Sequence, residues 1–317
     1  MRTAKNDSNL ITRANFFRLT PFRLNSFKLN YLCVAFTILF LTFVGCRPSV
    51  IEKPSIKPKP RVGLVLSGGA SRGFAHVGVI KVLEEEGIPI DIIVGTSSGS
   101  LTGALYAYYA DADTLERQAR KITVEDIFDF SIMNISRGVV KGERILRFID
   151  SNIRVKSIEN LKIPFAAVAT DLYTGRRVVF KNGSIATAVR ASSSIPGIFV
   201  PVTIGGKLLV DGGVVDNLPI DVARSMGADI VIAVDVSQPS TNYDIKNFVD
   251  IILQTFTIMG AEINKYKLKE SDVVIRPDVS GVGMIDFSRK DYLFLQGERA
   301  ARRALPNIRR AIIEASK

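Results

Sequence analysis

Gly95-Thr96-Ser97-Ser98-Gly99 follows the apolar run Ile90-Asp91-Ile92-Ile93-Val94 and precedes a small-residue stretch with helical spacing. A serine in that strand–turn–helix setting meets the demands of a nucleophile elbow, in which flanking glycines let strand and helix close around a strained turn. The N-terminus of the following helix would favour negative charge developing at Ser97. The same residues also describe an ordinary helix N-cap. A hydrolase triad would add a histidine downstream as general base. The only histidine is His76, upstream, inside a second glycine-rich segment. Either Ser97 is no nucleophile, or its base is not a histidine.

The upstream segment, Ser67-Gly68-Gly69-Ala70-Ser71-Arg72-Gly73, joins a short apolar run to a helical one. Its glycines can bring backbone amides close to an anion. A dinucleotide fingerprint is excluded because Ala70 stands where its second glycine belongs and Asp91 lies at the wrong end of the next strand. A phosphate-binding Walker loop is excluded by the missing Gly-Lys-Ser/Thr. An oxyanion hole facing Ser97 remains, beside the plain alternative of a structural turn. Downstream, Leu208-Leu209-Val210-Asp211-Gly212-Gly213 sets an aspartate at the end of an apolar strand. Asp-Gly is commonly only a turn. Asp171, Asp216 and Asp235 also sit near strand ends or turns, and Asp216 is the strongest rival to Asp211 as a base.

A glycine loop, a serine elbow and a strand-end Asp-Gly-Gly, in this order and without a usable histidine, resemble the patatin-like phospholipase family. The resembling segments are Gly68-Gly69-Ala70-Ser71-Arg72-Gly73, Gly95–Gly99, Asp211-Gly212-Gly213 and Ala191-Ser192-Ser193-Ser194-Ile195-Pro196-Gly197-Ile198-Phe199-Val200-Pro201, within a stretch from about Val62 to Ser237. The resemblance implies a Ser97–Asp211 dyad acting on acyl esters of phospholipids or lysophospholipids, with no cofactor and no metal. It implies that Gly68, Gly69, Ala70 and Gly73 form the oxyanion loop, that Arg72 braces it, and that His76 is scaffold. Ala70 departs from the family's third glycine; it keeps its N–H but would be strained if the loop needs positive φ there. A broader carboxylesterase using the same dyad, or a catalytically idle lipid-binding protein, are the alternatives.

Positioning such groups requires a core. Alternating apolar runs and helical segments from Arg61 onward point to one α/β domain over 61–317, a three-layer α/β/α sandwich on a mostly parallel sheet. The expected strands are Val62–Leu66, Ile90–Val94, Phe165–Thr170, Arg177–Phe180, Lys207–Val210 and Ile230–Val234. Helices are expected over Gly73–Gly87, Gly99–Tyr109, Arg144–Ile153 and Ile245–Lys269, and from Lys290 until Pro306 interrupts it. The apolar run Ile127–Met133 is expected either to line an acyl pocket or to pack in the core.

The net charge of +11 suggests nucleic acid until it is divided along the chain. Residues 1–45 carry six Lys/Arg against Asp7, and 47–60 carry four against Glu52, leaving about +3 for the rest. Nucleic acid therefore loses its main support as a partner. The basic start and the apolar run Tyr31–Gly45 read as a signal peptide, and Leu41–Cys46 resembles a bacterial lipobox with Cys46 as the lipidated residue. An uncleaved anchor helix is the alternative. Residues 46–60 read as a Pro/Lys-rich tether. These features predict a cell-envelope protein held at a membrane. Cys33 and Cys46 are the only cysteines, so residues 61–317 hold no disulfide, zinc-thiolate site or cysteine nucleophile.

Overall fold

The computed structural model describes residues 58–129, 140–238, 245–246 and 248–317. The expectations for 1–45 and for Cys46, most of the tether, and the Phe130–Met133 part of the apolar run lie outside them. Lys57–Lys317 forms a compact unit.

Its centre is an eight-stranded sheet of β1 (Val62–Leu66), β2 (Ile92–Thr96), β3 (Phe165–Asp171), β4 (Arg177–Phe180), β5 (Val202–Ile204), β6 (Lys207–Asp211), β7 (Ile230–Val234) and β8 (Val273–Ile275). The strand order is β5-β6-β3-β2-β1-β7-β8, with β4 also on β3. β1, β2, β3 and β7 are buried along their whole length, which is why they read as continuous apolar runs.

The helices are α1 (Phe74–Glu85), α2 (Ser98–Tyr109), α3 (Ala112–Lys121), α4 (Val124–Ile127), α5 (Glu143–Asn152), α6 (Ile185–Ser192), α7 (Ile220–Ser225), α8 (Phe248–Lys267) and α9 (Lys290–Ala315). One apolar cluster joins β1 to α1, α2 and α9; a second joins β1, β2 and β7 to α7. These are the two helical layers of the sandwich. α1 and α9 touch backbone to backbone: a Cβ on Gly78 would lie 2.0 Å from Phe294 O, and one on Gly297 would lie 2.0 Å from Ala75 O.

β1, β2, β3, β7 and β8 pair in parallel, as expected of a mostly parallel sheet, and β4, β5 and β6 join antiparallel. Gly205 and Gly206, both at positive φ, form a two-residue turn that folds β6 back on β5 as a hairpin. Two other expectations change. β2 starts and ends two residues later than expected, because Gly95 and Thr96 still pair with Leu66 and Val168. α9 also runs through Pro306, held by Ala304 and Ile308, which are buried on either side of it. Tertiary packing there outweighs the lost helix hydrogen bond.

Candidate active site

The strand registers bring Ser97 and Asp211 together. β3 has two edges, and β4 occupies one of them along Ala167–Thr170. β2 and β6 must therefore share the other. β2 pairs with Phe165–Val168 and ends at Thr96, while β6 pairs with Ala169–Asp171 and ends at Asp211. The two strands run toward each other along one slot, so Ser97 and Asp211 project from strand ends that meet. The junction is tight: a Cβ on Gly212 would lie 2.3 Å from Val168 O and 3.0 Å from the Thr96 methyl.

Ser97 has φ 53° and ψ −125°, a strained backbone for a residue with a side chain. The strain is held by its surroundings. A Cβ on Gly95 would lie 2.4 Å from Gly99 O, and one on Gly99 would lie 2.2 Å from Leu66 O, so turn and strand are in backbone contact. Ser97 N donates to Ser192 Oγ at 2.9 Å, and Ser192 Oγ donates to Val168 O at 2.6 Å. Asp211 N donates to Ser194 O at 2.8 Å. The C-terminal end of α6 and the turn that follows it thus steady both residues.

Asp211 is fully buried. Oδ1 accepts from Gly213 N at 2.8 Å, and Oδ2 has no hydrogen-bond partner. Burial pushes its carboxyl up to about 7; the Ser97 hydroxyl and the Gly213 amide, which both favour the carboxylate, oppose the rise. An orphaned, weakly acidic carboxylate oxygen beside a serine is suited to accepting its proton.

The rival acids are engaged elsewhere. Asp216 is buried and ion-paired with Arg177, which also forks onto Asp221 at 2.7 Å; burial raises the Asp216 carboxyl overall. Asp171 caps its own loop through Tyr173 N and Thr174 Oγ1. Asp235 accepts from Ser237 Oγ at 2.6 Å. His76 is fully buried with Nε2 2.8 Å from Ser67 O, and burial lowers its pKa to about 4. A carbonyl only accepts, so Nε2 carries the proton of a neutral ring that anchors the start of the glycine loop.

The loop packs against Ser97: a Cβ on Gly68 would lie 2.8 Å from Ser97 Cβ, and one on Gly73 would lie 2.5 Å from Ser98 Oγ. Gly68 N is not a free donor, because it bonds Asn217 Oδ1 at 2.9 Å. Ser71 N and Arg72 N are spent on Met284 O and Gly69 O. That leaves the amides of Gly69 and Ala70 as the loop's candidate oxyanion donors. Arg72 is buried, its guanidinium donating to Val282 O and Gln238 O, both at 2.9 Å, so it ties the loop to the chain beyond β7 and β8. Asn217 carries no signature in the sequence, and Ser192 is only one serine of the resembling segment Ala191–Pro201. Their importance lies in which backbone groups they hold.

Ala70 has φ 51°, the left-handed region in which a side chain is strained by about 1–2 kcal/mol. Ala70→Gly is therefore expected to stabilise the fold by ~0.5–1 kcal/mol, less than the strain relieved because glycine's greater unfolded-state entropy opposes the gain. Thermal unfolding would read this as a rise of a few degrees, with the loop's donors retained.

Two pockets open at Ser97. One, of about 70 Å3, is apolar and lined by Leu101, Leu105, Ile127, Phe128, Phe199 and Phe287 among others. Ile127 and Phe128 thus line a pocket at the site. The other, of about 20 Å3, is bounded by Gly68, Gly69, Asn217, Ser237 and Thr257. Among the described residues no group of three or more His, Cys, Asp or Glu side chains is placed to hold a metal ion.

The Patatin family model, described as patatin-like phospholipase, matches residues 64–224, just over half of the sequence and both strand ends of the site. The chain belongs to the patatin-like phospholipase family. An uncharacterized NTE family protein of Mycobacterium tuberculosis is 34% identical over 270 residues, covering 77% of this chain and 46% of its own length. The human patatin-like phospholipase domain-containing protein 6 is 37% identical over 230 residues, covering 70% of this chain and 16% of its own. The chain thus spans less than half the length of these relatives. The crystal structure of VipD from Legionella pneumophila has the same fold, with a TM-score of 0.56 at 14% identity over 78% of this chain and 67% of that one.

Proposed function

We propose that this patatin-like chain is a serine acyl hydrolase that cleaves carboxylic esters of phospholipids or lysophospholipids, with Ser97 as nucleophile and Asp211 as base. The observation that carries this reading is the meeting of strained Ser97 with a buried aspartate whose outer oxygen has no other partner. Ser97 Oγ attacks the acyl carbonyl carbon as its proton passes to Asp211 Oδ2. The new oxyanion is received by the Gly69 and Ala70 amides and the start of α2. The tetrahedral intermediate collapses, breaking the ester C–O bond, and Asp211 returns the proton to the departing alcohol. Water then attacks the acyl-enzyme with Asp211 again as base, releasing the fatty acid and restoring Ser97. Raising the aspartate from an ordinary value near 4 toward 7 makes it a better base at neutral pH. The apolar pocket offers an acyl chain a dry lining, which supports a lipid substrate over a small soluble ester.

A fluorophosphonate probe is expected to label wild-type protein at Ser97, to spare Ser97→Ala, and to block release of fatty acid from phospholipid. Absence of labelling would sink every enzymatic reading and leave the lipid-binding one. We further propose that residues 1–46 deliver the domain to a membrane of the bacterial envelope, with Cys46 lipidated. Metabolic palmitate labelling of wild type, lost in Cys46→Ala, is the expected result; equal labelling of both would refute it.

A further inference from the structure

α8 is built inside out. The face it turns to the protein buries Asp250, Thr257, Gly260 and Asn264 with Leu253, and Val249, Ile252 and Phe256 are half-buried beside them. These polar groups are engaged or close to the site: Asp250 accepts from Lys246 N, Asn264 donates to Ser237 Oγ at 2.7 Å, and Thr257 and Gly260 border the small pocket at Ser97. The face it turns outward carries Phe248, Ile251, Ile258, Met259 and Tyr266, with Phe248 at 73% and Tyr266 at 72% exposure. At 100° per residue these five fall within an arc of about 100°, the width of an ordinary buried stripe, with the exposed Thr255 and Glu262 between them. An apolar stripe of that size on the outside marks a binding surface.

We infer that this face docks α8 flat onto a phospholipid bilayer, a surface role that rests on the lipid-cleaving function proposed above. Two observations select a bilayer as the occupant. First, the stripe is continuous with the site. A groove of about 310 Å3 bordered by Ile251, Ile252, Phe256 and Met259 leads to Gly213, and the Phe256 ring lies 3.0 Å from where a Gly213 Cβ would be. Gly213 N in turn holds Asp211. A lipid leaving a bilayer under α8 would enter where the dyad lies. Second, lysines flank the stripe: Lys246 precedes it, Lys265 adjoins its last residue Tyr266, and Lys269 follows, with Nζ 5.6 Å from the Tyr266 ring. Apolar residues between lysine and tyrosine ends are the pattern of a helix lying in the headgroup–acyl boundary. Lys265 pairs with Glu262, so apolar burial carries most of the binding and anionic lipid adds a smaller part.

The chain has no tryptophan, so one introduced residue reports unambiguously. In the full-length chain carrying Ser97→Ala, Phe248→Trp and Ile258→Trp are each expected to shift to shorter emission wavelength with phosphatidylcholine–phosphatidylglycerol vesicles, and to be quenched when the lipids are brominated. Ile313→Trp, at an exposed position on α9, should do neither. In active protein, Phe248→Asp with Ile258→Asp should lower the ratio of vesicle to short-chain ester cleavage about tenfold. Unmoved emission at 248 and 258 overturns the docking face even if vesicle lipid is cleaved. Emission already blue-shifted without lipid, and increasing with protein concentration, would overturn it in favour of a second copy on this face. Insertion at 248 and 258 without any lipid cleavage by wild type would instead refute the function and keep the face.

Discussion

Asp211→Asn should lower kcat for ester cleavage by roughly 10^3–10^4-fold while the protein remains folded. The asparagine fits the same space and keeps an oxygen for Gly213 N, but it cannot take the Ser97 proton. Asp216→Asn tests the assignment, because Asp216 faces Arg177 and not the nucleophile. That variant should keep activity within about tenfold and lose ~1–3 kcal/mol of stability through the weakened ion pair. The reverse pattern, with Asp216→Asn silent and Asp211→Asn active, would show that the base has been misassigned. The pH profile gives a second reading. With Asp211 near 7, wild-type kcat/KM should rise about tenfold per unit below that value and level off above it, lying ~30-fold lower at pH 5.5 than on the plateau.

The same carboxyl links function to stability. Its folded pKa of about 7 lies above the unfolded value of 3.8. Between those values the unfolded chain has lost a proton that the folded protein keeps, so stability falls as pH rises through this window. The loss is complete above about 7. Asp211→Asn should therefore be more stable than wild type at pH 8.5, by on the order of 2–4 kcal/mol, and about equal to it below pH 4. Chemical denaturation at the two pH values checks the sign. Equal stabilities at pH 8.5 would mean that the carboxylate is better solvated than its burial implies.

Gly99→Ala should be among the most damaging single-methyl changes in the domain. The added Cβ would lie 2.2 Å from Leu66 O, 2.6 Å from Leu66 C and 2.7 Å from Ser67 O, all backbone of the central strand and of the loop that follows it. Nothing there can rotate away, so β1 and α2 would have to separate. A loss above about 4 kcal/mol is expected, enough to leave the chain largely insoluble or unfolded. Gly87→Ala is the contrast. It has open space for a Cβ and only its φ of 65° to oppose it, so it should cost ~1 kcal/mol. Expression yield and thermal unfolding of the pair would separate packing from backbone strain. A soluble, stable Gly99→Ala protein would contradict the elbow geometry.

The buried strands were legible because they are short apolar runs between helical periodicities, and the elbow because glycines flank a serine where such a run ends. The direction of β6 was not, since alternating β/α segments suggest parallel pairing and the Gly205-Gly206 reversal is two residues long. α9 was misread at Pro306 because a local penalty says nothing of the buried contacts on either side. Asn217 was invisible as a site residue, since a single polar side chain has no periodicity or spacing to mark it, and nothing set Ser192 apart from the two serines that follow it.

By itself the sequence determined the chemical inventory: a serine on a tight turn, a glycine loop, one histidine unsuited to be a base, and an aspartate closing an apolar strand. Those follow from residue type and nearest neighbours, which a linear chain records. Tertiary structure alone decided that Ser97 and Asp211, 114 positions apart, face each other. That meeting arises because β3 has only two edges and β4 fills one, so β2 and antiparallel β6 must end against each other on the remaining edge.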